Sequence, residues 1–491
     1  MYEPLSLAEV AKHNARSSCW VIINNKVYDV TEFLPAHPGG SKIILKYAGR
    51  DATAAYEPIH PPDALEKNLP KDKHLGVLDT AGAQELKEER ESRRKTKDEL
   101  RMEEAEAVKP PLSRVMNLLD MENVARKVLA YKALAYYSSA SDDELTHKEN
   151  IRSFTRFFFN PRILKPVSKC DPSTTILGFK SSLPIYASGA ALAKLGHPLG
   201  EANITRGAGR TGIIQMVSYN ASLSFAQIAA ARLSQDQPIF WQLYKNKDDK
   251  IAEARIREIE QLGYKAICLT VDAVVAGNRE RDIKAPFELE ELEREAAGVP
   301  KDRGKAESAQ KPEEHADEAG TAGMLLKNDD VDLSWDRTIP WLRRTTKLPI
   351  VLKGIQCVED AVLAAEAGLD GIVISNHGGR QLEYALPPME VLYRLRKQRP
   401  DVFDKLEVYV DGGVYRGTDV LKALCLGAKA VGLGRAFMYA QSAYGEEGVI
   451  HTVRILEREI LTGMRLMGAT NVGELVPEMV ERVDWQPVSK L

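Results

Sequence analysis

The sequence predicts an α/β protein whose main part is a (β/α)8 barrel. Eight short apolar runs recur along the second part of the chain, most of them about 20–35 residues apart, which is the length of one strand–helix unit. Their nearly continuous apolar character is typical of parallel strands covered on both faces. An open, doubly wound sheet has the same local pattern, but the count of eight favours a closed TIM barrel. The runs are LPIYAS, GIIQMVS, PIFWQLY, AICLTVD, PIVLKG, GIVISN, EVYVDGG and AVGLGR.

The chain of 491 residues is 44% hydrophobic and 28% charged, with a formal net charge of -3. This balance gives no overall attraction to nucleic acid, and no apolar run approaches the ~20 residues that a membrane-spanning helix needs. We therefore expect no nucleic-acid partner and no membrane span. The five cysteines are scattered without CxxC spacing, which is typical of reduced thiols rather than of a disulfide framework or a zinc site.

The chain divides into two blocks joined by a charged segment. Residues 1–78 form a compact block in which WVIINNKVYDV predicts a strand pair with a turn at Asn24-Asn25. Residues 79–111 combine both charge signs with almost no large apolar side chains, so they cannot bury enough surface to form a core. We interpret this segment as a linker or a solvated helix.

The barrel block is predicted to span residues 112–491. One of its connections is unusually long, because residues 273–348 separate the fourth and fifth apolar runs. Part of this connection, KDRGKAESAQKPEEHADEAGTAG, is polar and rich in glycine and glutamate. We predict a mobile loop at about residues 287–333, on the face where such barrels hold their active sites.

Polar residues and glycines cluster directly after the predicted strands. Because the carboxyl ends of parallel strands meet at one end of a barrel, we expect these residues to share one mouth. Each of them alone is usually a turn or core residue, and only their joint placement favours a functional site. The cluster comprises Thr270, Asp272 and Arg279 after the fourth strand, Lys353 in the fifth, Ser375, His377 and Arg380 after the sixth, Asp411 and Gly413 after the seventh, and Gly434 and Arg435 after the eighth.

This cluster predicts a phosphate-bearing cofactor and an anionic substrate. Glycine-rich turns after the last two strands bind phosphate through backbone N–H groups, and Arg435 adds positive charge there. Arg279 and Arg380 suit a carboxylate, since a planar guanidinium bonds it through two N–H groups. Asp272 can orient His377 as a base and stabilise its protonated form.

Three longer segments, LPIVLKG, SNHGGRQL and VDGGVYRGTDVLKALCLGAKAVGLGR, resemble the FMN-dependent L-2-hydroxy acid dehydrogenase family over roughly residues 112 to 480. The resemblance implies a small, L-lactate-like 2-hydroxy acid that loses a proton to His377 while the electron pair of the α-hydrogen passes to FMN. Hydride transfer and a carbanion route both remain open. Lys353 would lie where negative charge builds on the reduced flavin. A homotetramer is the assembly that the family suggests.

The resemblance also implies roles for individual residues. Tyr136 and Tyr244 are similar to tyrosines that bond the substrate, Arg279 and Arg380 hold its carboxylate, and Asn220 touches its side chain. The residues implied to contact FMN are Gly189, Ala190, Ser218, Gln242, Thr270, Lys353, Ser375, Asp411, Gly413, Arg416, Gly434 and Arg435.

The chain departs from the family pattern at four positions. Tyr415 stands where an arginine usually faces the phosphate, so we expect weaker FMN binding. Ala140 replaces a glycine in the turn after Tyr136. Asn220 replaces leucine or tryptophan, and Gly189 replaces a slightly larger residue, so we expect a roomier and more polar pocket that favours a longer or polar 2-hydroxy acid over L-lactate.

The N-terminal block resembles a small α+β, cytochrome b5-like haem domain through its HPGG and EPIHPP segments. The resemblance implies that His37 and His60 are the axial ligands of haem b iron. A haem domain ahead of this barrel implies that electrons pass from FMN to haem and then to cytochrome c or another acceptor. Two alternatives remain open: an oxidase that gives electrons to O2 and forms H2O2, and a non-catalytic haem electron carrier.

The last three residues, Ser489-Lys490-Leu491, match the S-K-L address for the peroxisome. A peroxisome suits relatives that pass electrons to oxygen, whereas transfer to cytochrome c suits the mitochondrial intermembrane space. No presequence for that second compartment is visible at the N-terminus. We predict a peroxisomal location and keep the intermembrane space as the alternative.

Overall fold

The computed structural model describes residues 4–37, 40–296 and 320–483. The N-terminal unit is a small mixed sheet with short helices packed on it, and its core includes Cys19, Val21 and Leu34. Its elements are α1 (Leu7–Val10), β1 (Asn14–Ala15), β2 (Ser18–Ile23), β3 (Lys26–Asp29), α2 (Gly40–Leu45), β4 (Arg50–Asp51), α3 (Thr53–Tyr56), α4 (Ala64–Asn68) and β5 (His74–Val77). The strand order is β1-β2-β3-β5, and β4 pairs with β2 in parallel.

The structure contains the predicted hairpin around Asn24-Asn25. Strands β2 and β3 pair antiparallel, with Val21 opposite Tyr28. Asn24 and Asn25 have φ values of 50° and 61°. A two-residue hairpin turn needs this left-handed backbone at both positions, and asparagine tolerates it better than most residues.

The charged segment between the two blocks is helical, with α5 (Thr80–Ser92) and α6 (Lys97–Ala107). Each helix has a side-chain cap: Asp79 accepts from the amide of Gly82 at 2.6 Å, and Thr96 forms a capping box with Glu99. An ion pair from Arg90 to Asp51 ties α5 to the N-terminal unit. The domain boundaries at residues 79 and 111 stay a prediction.

Three helices and three short strands lead into the barrel. The helices are α7 (Leu118–Val128), α8 (Tyr131–Ser138) and α9 (Leu145–Ser153), and the strands are β6 (Phe157–Phe159), β7 (Thr174–Ile176) and β8 (Phe179–Ser181). Strands β7 and β8 form a hairpin. Ile176 and Phe179 of this hairpin pack on the inward-facing residues Tyr186, Met216 and Phe240, so the hairpin closes the amino-terminal end of the barrel.

The predicted eight-stranded barrel is confirmed. Its strands are β9 (Ile185–Ala187), β10 (Ile214–Val217), β11 (Ile239–Leu243), β12 (Ile267–Thr270), β13 (Ile350–Ile355), β14 (Gly371–Ile374), β15 (Glu407–Asp411) and β16 (Ala430–Leu433). All neighbours pair in parallel, and β16 returns to β9 with Val431 opposite Ile185. Closure leaves no sheet edge, and it gathers eight carboxyl strand ends around one mouth.

Helices surround the barrel. They are α10 (Glu201–Thr211), α11 (Phe225–Ala230), α12 (Asp249–Gln261), α13 (Glu280–Ala296), α14 (Gly320–Leu326), α15 (Trp335–Thr345), α16 (Val358–Glu366), α17 (Pro388–Gln398), α18 (Gly417–Cys425) and α19 (Arg435–Met467), and β17 (Val480–Arg482) then pairs with β6. Among these helices, α13 and α14 pack on other helices rather than on the strands. Helix α19 is interrupted by non-helical backbone at Tyr444 and Gly445. Among the described residues, no helix combines the length and apolar character needed to cross a bilayer.

The long connection after β12 contains α13 and α14. The loop predicted at about residues 287–333 falls partly on residues 297–319, which lie outside the described residues. On both sides of that gap the chain is helical, and α14 reaches the barrel mouth through Ala322 and Leu326.

A bulge in β13 brings two strand ends close together. The register against β14 shifts between Lys353 and Ile355, and Gly354 between them has a φ of 114°. A Cβ atom on Gly354 would lie 2.6 Å from the Cβ of Asp272. Glycine is therefore needed here both for its backbone conformation and for the close approach of Asp272.

We expect G354A to destabilise the protein more than G368A does. Both glycines have positive φ, so alanine adds about 1–3 kcal/mol of backbone strain at each site. Only at Gly354 does the methyl group meet another residue, which adds an overpacking cost of about 1–3 kcal/mol. The measurement is the thermal unfolding midpoint of each variant, and equal shifts for the two would contradict the close contact.

Candidate active site

One cavity opens at the carboxyl ends of the barrel strands. Most of the residues that the sequence predicts for the site line it: Tyr136, Gly189, Ala190, Ser218, Asn220, Tyr244, Arg279, Lys353, His377, Arg380, Asp411, Gly413, Gly434 and Arg435. Three more, Gln242, Asp272 and Ser375, bond to these lining residues from behind, and Thr270 accepts a hydrogen bond from Gln242.

His377 and Asp272 form a buried pair at the centre of the mouth. Nδ1 of His377 lies 2.9 Å from Oδ1 of Asp272. Burial raises the pKa of Asp272, but the neighbouring His377 and Lys353 outweigh it, and this carboxyl has a pKa below its usual range. The ionised carboxylate only accepts hydrogen bonds, so Nδ1 carries the proton and Nε2 keeps its lone pair.

The environment keeps His377 neutral. Burial lowers its pKa more than Asp272 raises it, so the pKa lies below the ordinary value for histidine. The Nε2 atom lies 3.5 Å from the hydroxyl of Tyr244, which lines the cavity. A neutral imidazole backed by a carboxylate and facing a cavity is the arrangement of a general base.

Lys353 supplies a fixed cation beside this pair. Its ammonium donates to Ser375 at 3.1 Å and lies 3.5 Å from the carboxylate of Asp411. Burial disfavours the charged form, but Asp411 and Asp272 more than offset it and hold the pKa of Lys353 above its usual value. The side chain therefore stays protonated.

Arg279, which is buried, and Arg380, which is half-buried, carry positive charge without a carboxylate partner among the described residues. Arg380 donates to the backbone carbonyls of Ser139 and Tyr137, and Arg279 donates to the carbonyl of Arg380 at 3.2 Å. Burial, together with repulsion from Arg435 and Arg279, lowers the pKa of Arg380 to about 9. An anion bound between these guanidinium groups would relieve that repulsion.

A second set of polar groups lies on the opposite wall. Gln242 donates to Thr270 at 3.0 Å and accepts from the backbone amide of Tyr219, also at 3.0 Å. The hydroxyl of Ser218 lies 3.4 Å from Oε1 of Gln242. A Cβ atom on Gly189 would lie 3.0 Å from the Cβ of Gln242, so glycine lets the two strand ends approach. These groups suit the polar edge of a planar heterocycle.

The far end of the cavity is shaped to hold a phosphate. Gly412 and Gly413 have φ values of 93° and 81°, and a Cβ atom on Gly434 would meet no atom within 4 Å. Helix α19 begins at Arg435, so its first free N–H groups face this end. The residues present therefore fit the phosphate of a flavin nucleotide.

Arg416 lies elsewhere. It precedes α18, and its guanidinium bonds Glu459 at 3.0 Å outside the cavity lining. Tyr415 does line the cavity, where its hydroxyl donates to Glu122 at 2.7 Å.

The structure brings four residues to the site that sequence reasoning missed. His147 accepts a hydrogen bond from Arg435 at 2.7 Å, and burial together with Arg435 lowers its pKa to about 2, so the imidazole is neutral. Asn150 bonds Asn376, beside His377, and Glu122 lines the phosphate end. Three of the four come from helices ahead of the barrel, where no local motif marks them.

His37 and His60 face each other in the N-terminal unit. Their ring centroids are 6.1 Å apart. Two imidazoles that bind one metal ion from opposite sides at about 2 Å place their centroids about 6 Å apart. Nδ1 of each ring bonds a backbone carbonyl at 3.1 Å, that of Gly40 for His37 and that of Tyr56 for His60. Each ring thus keeps Nε2 for a metal, which fits paired haem ligation.

The loop that precedes His60 contacts the barrel. Lys194 donates to the carbonyl of Glu57 at 2.8 Å, and Ser222 donates to the carbonyl of Pro58 at 3.0 Å. Lys67 also pairs with Glu258 at 3.0 Å. Lys194 and Ser222 follow shortly after Ala190 and Asn220 of the cavity wall, so the haem-ligand loop rests on the same loops that line the mouth.

Comparison with known proteins gives matches to both units. Residues 125–482 match the FMN-dependent dehydrogenase family, and residues 6–79 match the cytochrome b5-like heme/steroid binding domain. The chain is 48% identical over 476 residues to L-lactate dehydrogenase (cytochrome) of Wickerhamomyces anomalus, which covers 96% of this chain and 79% of that protein. It is 39% identical over 366 residues to glycolate oxidase 1 of Zea mays, covering 74% of this chain and 95% of that protein.

Solved structures agree with these matches. The flavin-binding domain of baker's yeast flavocytochrome b2 superposes with a TM-score of 0.70 at 42% sequence identity, covering 80% of this chain and 95% of that one. Mandelate oxidase superposes with a TM-score of 0.64 at 32% identity, covering 74% and 98%. The chain therefore belongs to the FMN-dependent dehydrogenase family, carries a cytochrome b5-like unit ahead of its barrel, and uses FMN and haem b as cofactors.

Proposed function

We propose that this enzyme oxidises L-lactate or a related L-2-hydroxy acid to the 2-oxo acid and passes the electrons through haem b to a cytochrome-type acceptor. The observation that carries the proposal is the neutral His377, backed by Asp272 and facing a cavity with two guanidinium groups that have no carboxylate partner among the described residues. A base beside an anion site suits an acid that carries its hydroxyl next to its carboxylate.

Arg279 and Arg380 hold the substrate carboxylate, which neutralises their mutual repulsion. The α-hydroxyl then lies near Nε2 of His377, which takes a proton, and Asp272 stabilises the imidazolium. Tyr136 and Tyr244 remain protonated, because burial raises the pKa of both phenols, and they donate hydrogen bonds to the substrate. FMN, when bound, supplies the two-electron acceptor for the α-carbon.

The remaining residues hold the cofactors in this scheme. Lys353 places a permanent positive charge beside the flavin, where reduction adds negative charge. Ser218, Gln242 and Thr270 line the polar edge of the ring. Gly413, Gly434 and Arg435 hold the phosphate, with Asp411 and Ser375 alongside. His37 and His60 hold the haem iron.

We expect H377Q to lose turnover while it keeps FMN. A general base contributes about 10²–10⁴-fold to a rate, and glutamine has no basic lone pair to replace it. The measurement is the anaerobic rate at which L-lactate bleaches the flavin absorbance. The control is H451Q, since His451 bonds the carbonyl of Val115 at 2.7 Å and does not line the cavity. Full turnover by H377Q would contradict the proposed role.

The substrate side chain is proposed to lie against Asn220. This residue lines the cavity, and its backbone amide donates to Ser218 at 3.2 Å, which fixes the turn. A side chain at position 189 would point at Gln242 and not into the cavity, so Gly189 does not enlarge the substrate pocket. The polar character of the pocket therefore comes from Asn220, and it favours a 2-hydroxy acid with a polar side chain.

We expect N220L to shift the preference toward L-lactate. Loss of one neutral hydrogen bond costs about 0.5–1.5 kcal/mol, so the ratio of kcat/KM for L-glycerate to that for L-lactate falls about three- to tenfold. The measurement compares L-lactate, glycolate and L-glycerate for both proteins. A clear lactate optimum in the wild type, unchanged in the variant, would contradict the polar pocket.

We expect H60A to separate the two half-reactions. Loss of an axial ligand removes or alters the haem spectrum, while L-lactate still reduces the flavin and reduction of added cytochrome c is lost. The control is H74Q, because His74 lies in the same unit and bonds the carbonyl of Leu69 at 3.2 Å. A wild type that forms peroxide stoichiometrically and reduces no cytochrome would favour the oxidase alternative instead.

Assembly and location remain proposals. A homotetramer is the assembly proposed from the family resemblance. The tripeptide Ser489-Lys490-Leu491 lies outside the described residues, so the peroxisomal location stays a prediction of the sequence, with the mitochondrial intermembrane space as the alternative.

A further inference from the structure

Helix α9 lies ahead of the eight strand–helix units, yet it supports the turn that carries His377. A Cβ atom on Gly379 would lie 2.6 Å from the backbone nitrogen of His147, so the turn packs directly on this helix. Glu383, further along the same loop, accepts from the backbone amide of Thr146 at 2.7 Å and so caps the helix. Helix α9 and the loop from His377 to Glu383 therefore stabilise each other.

At the centre of this contact, Asn150 and Asn376 form a reciprocal amide pair. Nδ2 of Asn376 donates to Oδ1 of Asn150 at 2.7 Å, and Nδ2 of Asn150 donates to Oδ1 of Asn376 at 2.8 Å. Both side chains are buried, with exposures of 0% and 1%. Two hydrogen bonds in a dry environment are strong, and loss of either partner leaves buried polar atoms unpaired.

Backbone groups fix which way the pair points. Oδ1 of Asn376 also accepts from the amide of Gly379 at 3.1 Å, and Nδ2 of Asn376 also donates to the carbonyl of Leu386 at 3.2 Å. All four hydrogen-bonding positions of the Asn376 amide are thereby used. The side-chain amide of Asn150 must therefore present its oxygen to the NH2 group of Asn376 and its NH2 group to the oxygen of Asn376.

The turn held in this way is strained. His377 has a φ of 58°, and Gly378 and Gly379 follow with 67° and 78°. A left-handed conformation at a non-glycine residue persists only when its surroundings enforce it. Here the amide of His377 donates to Ser375, and the Asn150–Asn376 pair holds the other end of the turn.

Asn150 also touches the phosphate end. A Cβ atom on Gly413 would lie 2.3 Å from the backbone oxygen of Asn150, so the turn after β15 packs on the same residue. One residue on α9 thus contacts both the turn that carries the base and the turn that cradles the phosphate.

We propose that Asn150 is a positioning residue, which holds the turn of His377 in register with the phosphate-binding turn through its amide pair with Asn376. The inference rests on the proposed role of His377 as the base. A small displacement of the imidazole slows proton transfer, because a misplacement of ~1 Å costs on the order of 10²-fold in rate. Binding of the carboxylate is less affected, since Arg380 is anchored separately by Ser139 and Tyr137.

The experiment compares N150D with N203D in the full-length holoenzyme. N150D keeps the size of the side chain but turns a donor into an acceptor that faces Oδ1 of Asn376. Asn203 is equally buried, at 1% exposure, and bonds His197 away from the cavity. For N150D we expect kcat per bound FMN to fall about 10–100-fold with KM for L-lactate within about threefold of the wild type. N203D should match the wild type in both.

A double-mutant cycle with N150A, N376A and N150A/N376A tests the pair itself. If the two amides act as a unit, the double variant loses no more kcat per bound FMN than the more affected single variant. Additive losses, a kcat within twofold of the wild type, or a rise in KM with kcat unchanged would overturn the inference. If neither N150D nor N150S yields protein that binds FMN, the pair is a folding element and the inference is wrong.

H377Q, measured in parallel, separates this inference from the proposed function. If H377Q keeps full turnover, the role of His377 fails whatever the Asn150 variants do. If H377Q loses turnover while N150D matches N203D, only the role of Asn150 fails.

Discussion

Buried positive charge without a carboxylate partner is the constraint on which the mouth of this barrel depends. Arg279, Arg380 and Arg435 lie close enough to repel one another, and burial together with this repulsion lowers the pKa of Arg380 to about 9. The carboxylates at the mouth, Asp272, Asp411 and Glu122, pair with His377, Lys353 and Arg126. Among the residues that the structure describes, no carboxylate is left to pair with Arg279 or Arg380, so the mouth is suited to receive anions. In the proposed function, the phosphate of FMN and the carboxylate of the substrate would supply these anions.

The sequence alone predicts the part of this arrangement that follows from the order of the strands along the chain. The eight strands were predictable because each is a short apolar run and most of the runs follow one another at the length of one strand–helix unit. Closure in parallel then places Asp272, Lys353 and His377 at the same end of the barrel. Asn150 was not predictable in this way, because it lies 226 residues from Asn376 in a helix with no recognisable motif. Arg416 is the opposite case, because sequence reasoning assigns it to the site and the structure places it elsewhere. The family resemblance implies that it contacts FMN, but the structure shows that it bonds Glu459 outside the cavity lining.

A single buried carboxylate links the substrate pocket to the haem-ligand loop. Glu201, at the start of α10, accepts hydrogen bonds from the backbone amides of Ala193 and Ser222 at 3.1 and 2.9 Å. Those two loops carry Ala190 and Asn220 of the cavity wall on one side, and the donors Lys194 and Ser222 to residues 57 and 58 on the other. Because the same loops do both, the shape of the substrate pocket and the position of the loop that precedes His60 are mechanically connected.

The phosphate end shows how the chain accommodates its most unusual residue. Where the family resemblance leads one to expect an arginine, Tyr415 donates to Glu122, and a carboxylate at this point would by itself repel a phosphate. Arg126, one turn along α7, pairs with Glu122 at 2.6 Å and cancels its charge. The binding energy for the phosphate then depends on Arg435 and on the free N–H groups at the start of α19, both of which face the cradle around Gly434. Because only a substitution by proline removes a backbone N–H group, a site that relies on such groups tolerates the loss of one arginine better than a site built from side chains alone.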